Sequence, residues 1–317
     1  MLAEKIYYKA KSVKDAIANA VSNVGSFRYL AGGTDVIVNK FQGNDEKKYL
    51  IDISEINELS VIRSEGDFLR IGSLVKLDEL KQHEIVNSNF GALPEAAHSA
   101  ATPVLRKTAT IGGNILCENR CIFYNQSEWW REAVGYCLKC DGDICIATGG
   151  TKACFSKFVS DTAPVLICYD AQIEVEDKDG KHIFKVEDIY TGDGLNPRKL
   201  SDTALIVAIL LPLNKKYKCI FKKLRPRESA DFTSLTTALS VDENGRVKVA
   251  VGGVDPKPIV FEVNSVNEKD ELLKYVLKKS RIVDNDYYSR PYRKEMISVF
   301  LERSFEELAD TISAVEL

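Results

Sequence analysis

LAGGTDVIVNK (residues 30–40) and ATIGGNI (residues 109–115) decide how this chain is read. In each, two glycines follow an apolar stretch: Gly32 and Gly33 in the first, Gly112 and Gly113 in the second. Glycine lets the backbone turn sharply and approach a ligand closely. Successive free N–H groups form a nest that binds anions. Thr34 adds a hydroxyl donor, and Asp35 can orient the loop. Two such turns suit a ligand with two phosphates, such as a dinucleotide; a plain turn is the competing reading of either one alone. Neither is a Rossmann GxGxxG or a P-loop, because the spacing differs and no Lys follows in register. Asn114 can donate or accept a hydrogen bond near a ring or ribose. Asp161, in SDTAP, can accept two ribose hydroxyls or serve in a turn or helix cap.

Outward from these turns, SVKDAIANAVSN (12–23) has a Ser start and apolar residues at helical spacing. FRYL leads into the first glycine turn as a strand, and a second strand or short helix follows. KYLIDISEI (48–56) reads as a buried strand. VIRSEGDFLRIGSLVKLDEL (61–80) reads as a hairpin with a helix starting at Ser73, and FGALPEAAHSA (90–100) as a helix. The apolar run 163–169 and then AQIEVEDKDGKHIFKVEDIY (171–190) read as strands joined by the turn DKDG. ALIVAILLPL (204–213) is a strand ended by Pro212. Residues 233–261 form a hairpin pattern with the turn DENG, and the charged, amphipathic end from about 268 reads as helices. Boundaries fall near 57 and 214–218, dividing the chain into 1–57, 58–216 and 217–317.

The 317 residues are enough for two or three domains. Apolar content of 45%, charged content of 28% and a net charge of −3 point to a soluble protein without a nucleic-acid or membrane partner. No run approaches the roughly 18–20 apolar residues that span a bilayer, and the start is not a secretory signal. A cytoplasmic location is expected. In a reducing compartment, clustered thiols bind metal or do redox work rather than form disulfides. Six of the eight cysteines lie within residues 117–154: Cys117, Cys121, Cys137, Cys140, Cys145 and Cys154. Cys168 and Cys219 sit in apolar runs and read as buried small side chains. A zinc site usually shows two close pairs, whereas Cys145 and Cys154 are nine apart and no nearby His completes one. Iron–sulfur spacings vary widely, so spacing alone leaves zinc, iron–sulfur and no metal open. Trp129, Trp130, Phe123, Tyr124 and Tyr136 would pack over a cluster and keep water from it, or supply core for the loop. There is no Ser–His–Asp pattern and no cluster of catalytic carboxylates, so no catalytic residue is expected on this chain.

AGGTD and TIGGN, with SDTAPVL after them and FKKLRPRESADF opening the last third, resemble the flavin-binding subunits of the xanthine dehydrogenase and carbon monoxide dehydrogenase family. The resemblance covers essentially the whole chain. It implies an α+β protein: a two-subdomain FAD-binding fold of the PCMH/vanillyl-alcohol-oxidase-like kind, with FAD between the subdomains, and a C-terminal α+β domain of the CO dehydrogenase flavoprotein type. It also implies that Tyr29, Leu30, Ala31, Gly32, Gly33, Thr34, Asp35 and Val36, with Thr110, Ile111, Gly112, Gly113 and Asn114, hold the pyrophosphate and flavin side. Thr102 would be a further contact, Asp161 would hold the adenosine end, and Lys223 would lie near the flavin. Arg225, Arg227 and Asp231 would pair with one another, or face the flavin or a partner.

Most of that family runs from TIGGN to the SD motif through a short link. The cysteine-rich link here, with CIFYNQS, WWREAVGYCLK and DGDIC, is similar to the β subunits of the 4-hydroxybenzoyl-CoA reductase branch. That branch carries an extra [4Fe–4S] cluster whose pattern, C-x15-C-x7-C-x8-C, falls on Cys121, Cys137, Cys145 and Cys154. Cys117 and Cys140 become spare thiols that pack structurally. The implied partners are a molybdopterin-containing large subunit, a small [2Fe–2S] subunit and a ferredoxin-like electron donor, in a dimer of heterotrimers. Electrons would pass through [4Fe–4S] and FAD toward the molybdenum subunit for reductive aryl dehydroxylation, in anaerobic aromatic degradation. The alternatives are the flavin subunit of a molybdenum hydroxylase with another substrate, and a zinc-stabilised nucleotide-binding module.

Overall fold

The structure is a computed structural model that describes residues 6–313. β1 (Ile6–Lys9), β2 (Phe27–Leu30) and β3 (Tyr49–Asp52) form a parallel sheet in the order β1–β3–β2. Parallel strands need a crossover, and the helix Val13–Ser22 supplies the first. Ser12 caps it by accepting from the Asp15 N–H at 3.2 Å. Val13, Ala16, Ile17 and Ala20 are buried along one stripe. β2 then delivers the first glycine turn, and the short helix Val36–Phe41 follows it.

β4 (Ile62–Glu65), β5 (Phe68–Gly72), β6 (Gln172–Asp177), β7 (Gly180–Lys185) and β8 (Leu205–Pro212) form an antiparallel sheet in the order β4–β5–β8–β6–β7. The central β8 is almost wholly buried. Its Leu205 and Val207 join the core of the first sheet, while Ile206 joins that of the second. This alternation along one strand welds the two sheets together.

Two expectations are corrected here. No helix begins at Ser73: its N–H donates to the Val207 carbonyl (3.0 Å) and its carbonyl accepts from the Gly112 N–H (2.9 Å). Tertiary pairing overrides the local helix signal and seats the second glycine turn. The run 163–169 is a helix, Thr162–Cys168, buried throughout. A short all-apolar run has no periodicity to separate strand from helix.

β9 (Tyr217–Leu224), β10 (Leu235–Asp242), β11 (Val247–Gly252) and β12 (Ile259–Val263) form an antiparallel meander, with the helices Lys269–Lys279 and Arg290–Ser313 packed on it. Phe221, Ala238 and Ala250 share one apolar core with Leu166 and Ile209, so this sheet closes on the helix Thr162–Cys168. Asp170 clamps the same junction, accepting from the Tyr217 hydroxyl at 2.9 Å and pairing with Arg246 and Lys248. Burial pushes its carboxyl up, but the Arg246 hydrogen bond and the Lys248 charge hold it at about 2. Among the described residues, no helix is long and apolar enough to cross a membrane.

Candidate flavin cleft and cysteine cavity

The two glycine turns and Asp161 meet around a cleft of about 820 Å³, within the range of about 300–1,000 Å³ usual for ligand pockets. Of the expected contacts, all but Leu30, Thr102, Ile111 and Lys223 line it. The Leu30 carbonyl accepts from the Ile53 N–H at 2.9 Å, and Ile111 lies in the core. Thr102 caps the helix Pro103–Arg106 instead. At Gly32 any Cβ would stand 1.9 Å from the Thr108 carbonyl oxygen, so only glycine lets the two loops touch. Gly33 has φ +72°, which L side chains rarely adopt.

Side chains fasten this frame. Asp35 accepts from the Glu118 N–H at 2.9 Å and pairs with Arg120, tying the first turn to the root of the cysteine segment. The Asn114 side-chain oxygen accepts from the Ser160 hydroxyl (2.9 Å) and from the Thr162 hydroxyl (2.7 Å) and N–H (3.1 Å). Asn114 lines the cleft, yet its acceptor already binds the second turn to the stretch around Asp161. Thr110 caps the helix Ile111–Ile115 by accepting from the Gly113 N–H at 3.1 Å.

Asp161 and Lys223 were expected at different ends of the ligand. They form one buried ion pair at 2.9 Å, with Lys223 behind the cleft wall, and so cannot serve opposite ends. Burial pushes the Asp161 carboxyl up, against the pull of Lys223. Lys223 also donates to the Ser99 carbonyl (3.0 Å), as does Arg225 (2.7 Å), while Arg106 donates to the carbonyls of Ala100 (3.0 Å) and Ala101 (2.7 Å). These three cations hold Ala101, which lines the cleft, in the left-handed region at φ 50°. Arg227 and Asp231, also in the lining, pair with each other at 2.8 Å.

The loop 191–202 carries no sequence signal of its part in the cleft. Its Leu195, Asn196, Pro197 and Arg198 line the cleft, and Arg198 donates to the Cys117 carbonyl at 2.8 Å. The run TGDGLNPRK carries turn residues that mark a loop, but no motif that marks a site.

Cys121, Cys137, Cys145 and Cys154 surround one small cavity of about 10 Å³, about the room of one water. Cys140 and Cys117 do not line it. Cys140 hydrogen-bonds to Cys137, and this bond draws the Cys137 thiol well below its usual value; a thiolate is the form that ligates metal. Cys117 opens onto the flavin cleft instead. Among the described residues, no three or more His, Cys, Asp or Glu side chains gather closely enough to hold a metal ion. A tetrahedral zinc would need its thiolates about 2.3 Å from one centre. The four cysteines ring a space rather than a point.

The aromatic shell is smaller than expected. Of the five aromatic residues, Phe123 and Tyr124 line the cavity, whereas Trp129 is 75% exposed and Trp130 lies outside the lining. The Tyr136 hydroxyl donates to Glu128 at 2.8 Å on the surface. The reason is Arg131, which turns the inner face of the helix Glu128–Val134 toward the protein by donating to the carbonyls of Gln42 and Gln126, both at 2.8 Å. Arginine takes the buried face, and Trp129 is left outside it.

Comparison with known proteins gives the same frame. Residues 2–214 match the family described as the FAD binding domain in molybdopterin dehydrogenase. The chain belongs to that family: it is an FAD-binding, oxidoreductase-type subunit of a molybdenum hydroxylase-type complex. It is 29% identical over 260 residues to the aldehyde oxidoreductase FAD-binding subunit PaoB of Escherichia coli, covering 79% of this chain and 82% of that one. It is 24% identical over 316 residues to the glyceraldehyde dehydrogenase medium chain of Sulfolobus acidocaldarius, covering 96% and 98%. The structure superposes on carbon monoxide dehydrogenase from Hydrogenophaga pseudoflava with a TM-score of 0.76 at 18% identity, over 96% of this chain and 97% of that one. With the family match, that likeness shows the two-subdomain FAD-binding fold.

Proposed function

We propose that this chain is the flavin and [4Fe–4S] subunit of a molybdenum-dependent, 4-hydroxybenzoyl-CoA reductase-like complex. The observation that carries the reading is the ring of Cys121, Cys137, Cys145 and Cys154 around one cavity next to the flavin cleft. Four cysteines about a shared space suit a cluster better than a single ion, which weighs against the zinc-stabilised module. The space is small, so a cluster would press the four side chains outward. The segment that bears them has little regular structure to resist this. A bound cluster would supply one-electron transfer, and FAD would supply the exchange between one- and two-electron steps. The residues of this chain do the rest. The first glycine turn offers N–H groups to the pyrophosphate, while those of Gly112 and Gly113 are spent on Ser73 and Thr110 and fix the second turn. Asp161 with Lys223 braces the wall, and Phe123 with Tyr124 lines the cysteine cavity.

In this reading a ferredoxin-like donor reduces this chain, and electrons leave through a small [2Fe–2S] subunit to a molybdopterin-containing large subunit. There two electrons and two protons convert 4-hydroxybenzoyl-CoA to benzoyl-CoA and water. The second reading, a hydroxylase of another substrate, draws on the relatives' names: aldehyde oxidoreductase, xanthine dehydrogenase and carbon monoxide dehydrogenase all occur among them. The cofactor test is iron and flavin analysis of the purified complex, with Cys121→Ser beside it. The reading expects about four irons per chain, one FAD, and iron loss in the variant with flavin retained. Iron content untouched by Cys121→Ser sinks the ligand assignment. An assembled complex that cannot dehydroxylate 4-hydroxybenzoyl-CoA with a strong reductant leaves the second reading standing.

A further inference from the structure

Two side chains belong to both sites. Tyr124 and Lys139 line the cysteine cavity and the flavin cleft alike. The Lys139 ammonium donates to the Glu118 carboxylate and to the Gly194 carbonyl, each at 2.6 Å, and stands 5.1 Å from the centre of the Tyr124 ring. Its side chain is 7% exposed. Gly194 in turn packs on the cysteines: a Cβ there would lie 2.8 Å from Cys154 Sγ, and its N–H donates to the Cys154 carbonyl at 2.9 Å. Glu118 faces the cleft, and Arg198 approaches it to 3.7 Å. Burial pushes the Glu118 carboxyl up, yet the charges of Lys139 and Arg198 hold it at about 2, so it is ionised. A cation and its counter-charge thus occupy the partition between the two centres.

We propose that Lys139 is a shared tuning residue: its charge, held in the common wall by Glu118 and Gly194, raises the reduction potential of the iron–sulfur centre and of the flavin together. This rests on the reading of the cysteines as cluster ligands. Adding an electron to either centre adds negative charge, and a buried cation stabilises that charge in a medium where salt screens poorly. Transfer between a bound cluster and a bound flavin would move one electron from the first to the second, with Lys139 and Tyr124 as fixed wall between them. No bond to Lys139 or Tyr124 forms or breaks. A cation beside one centre alone would widen or narrow the gap between them; a cation shared by both moves the pair together and preserves the step.

The test is a dithionite potentiometric titration of the purified complex, with the cluster followed by electron paramagnetic resonance and the flavin by absorbance. Lys139→Met is expected to move both midpoints to more negative values, and Lys139→Arg to restore them. Glu118→Gln, which removes the opposing charge, is expected to move both the other way. Lys139→Met with full iron and FAD but either midpoint unmoved overturns the shared role. If Lys139→Met fails to hold its cofactors, Glu118→Gln decides: no positive shift at either centre overturns it. Wild-type complex without iron in this chain overturns the cluster reading and this inference together, which separates that failure from a failure of tuning alone.

Discussion

The flavin cleft takes its shape from backbone at the ends of regular elements. β2 delivers one glycine turn, the helix Ile111–Ile115 opens on the other, and β8 joins the cores beneath them. The cysteine segment next to it has one short helix, Glu128–Val134, and one 3₁₀ turn, Leu138–Cys140. It is held by polar side chains instead. Asn119 donates to the carbonyls of Ser156 (3.0 Å) and Pro256 (2.9 Å), Arg131 grips the turn at Gln42, and Lys139 ties it to Glu118 and Gly194. The first site is a product of the fold. The second is a loop whose order rests on a few polar anchors.

That contrast can be broken at four points. The largest effect is expected at Lys223→Met, which strands the buried Asp161 carboxylate and costs about 3–5 kcal/mol by analogy with other half-broken buried pairs. Denaturant unfolding measures it, and unchanged stability would mean that the pair does not brace the cleft. Gly32→Ala forces a methyl group into the Thr108 carbonyl; the expected cost is about 1–3 kcal/mol. FAD should be lost while iron content is kept, and joint loss of both would show that the two sites do not stand apart. On the proposed cluster reading, removing iron with a chelator should raise the rate of protease cleavage within residues 117–154 by about tenfold or more, equivalent to about 1.4 kcal/mol. Equal protection with and without iron would show that the polar anchors alone order the segment. The smallest effect is expected at Trp129→Ala. An exposed side chain away from special features changes stability by less than about 0.5 kcal/mol. Iron content and cluster potential should stay as they are, and a shift in either would restore tryptophan shielding.

How far the sequence could be read follows the same contrast. The helix at 12–23, the hairpins around DKDG and DENG, and the strand ended by Pro212 carry their own periodicity and turn residues, and they appear at those places. The run 163–169 carried none and was misread. At the cleft, the glycine turns were legible because a positive φ or a close backbone approach leaves one residue type. The loop 191–202 was not, since its part in the cleft comes from where Arg198 reaches and not from its composition. In the cysteine segment, the count of thiols pointed to metal or redox chemistry. Aromatic content could not say which rings face inward, because that depends on Arg131 meeting Gln42, 89 residues away in the chain.

By itself the sequence determined the features that belong to single residues or short runs: the two glycine turns, the cysteine-rich link between them and Asp161, and the apolar strands that make the cores. Tertiary structure decided what joins residues far apart. It made Asp161 and Lys223 one site, turned Trp129 outward, sent Cys117 to the flavin cleft, and set Lys139 in the wall between that cleft and the cysteine cavity. The physical reason is the range of the forces involved. Backbone sterics and turn preferences act within a few residues. Ion pairing, close packing and burial are settled when loops close and distant segments come into contact.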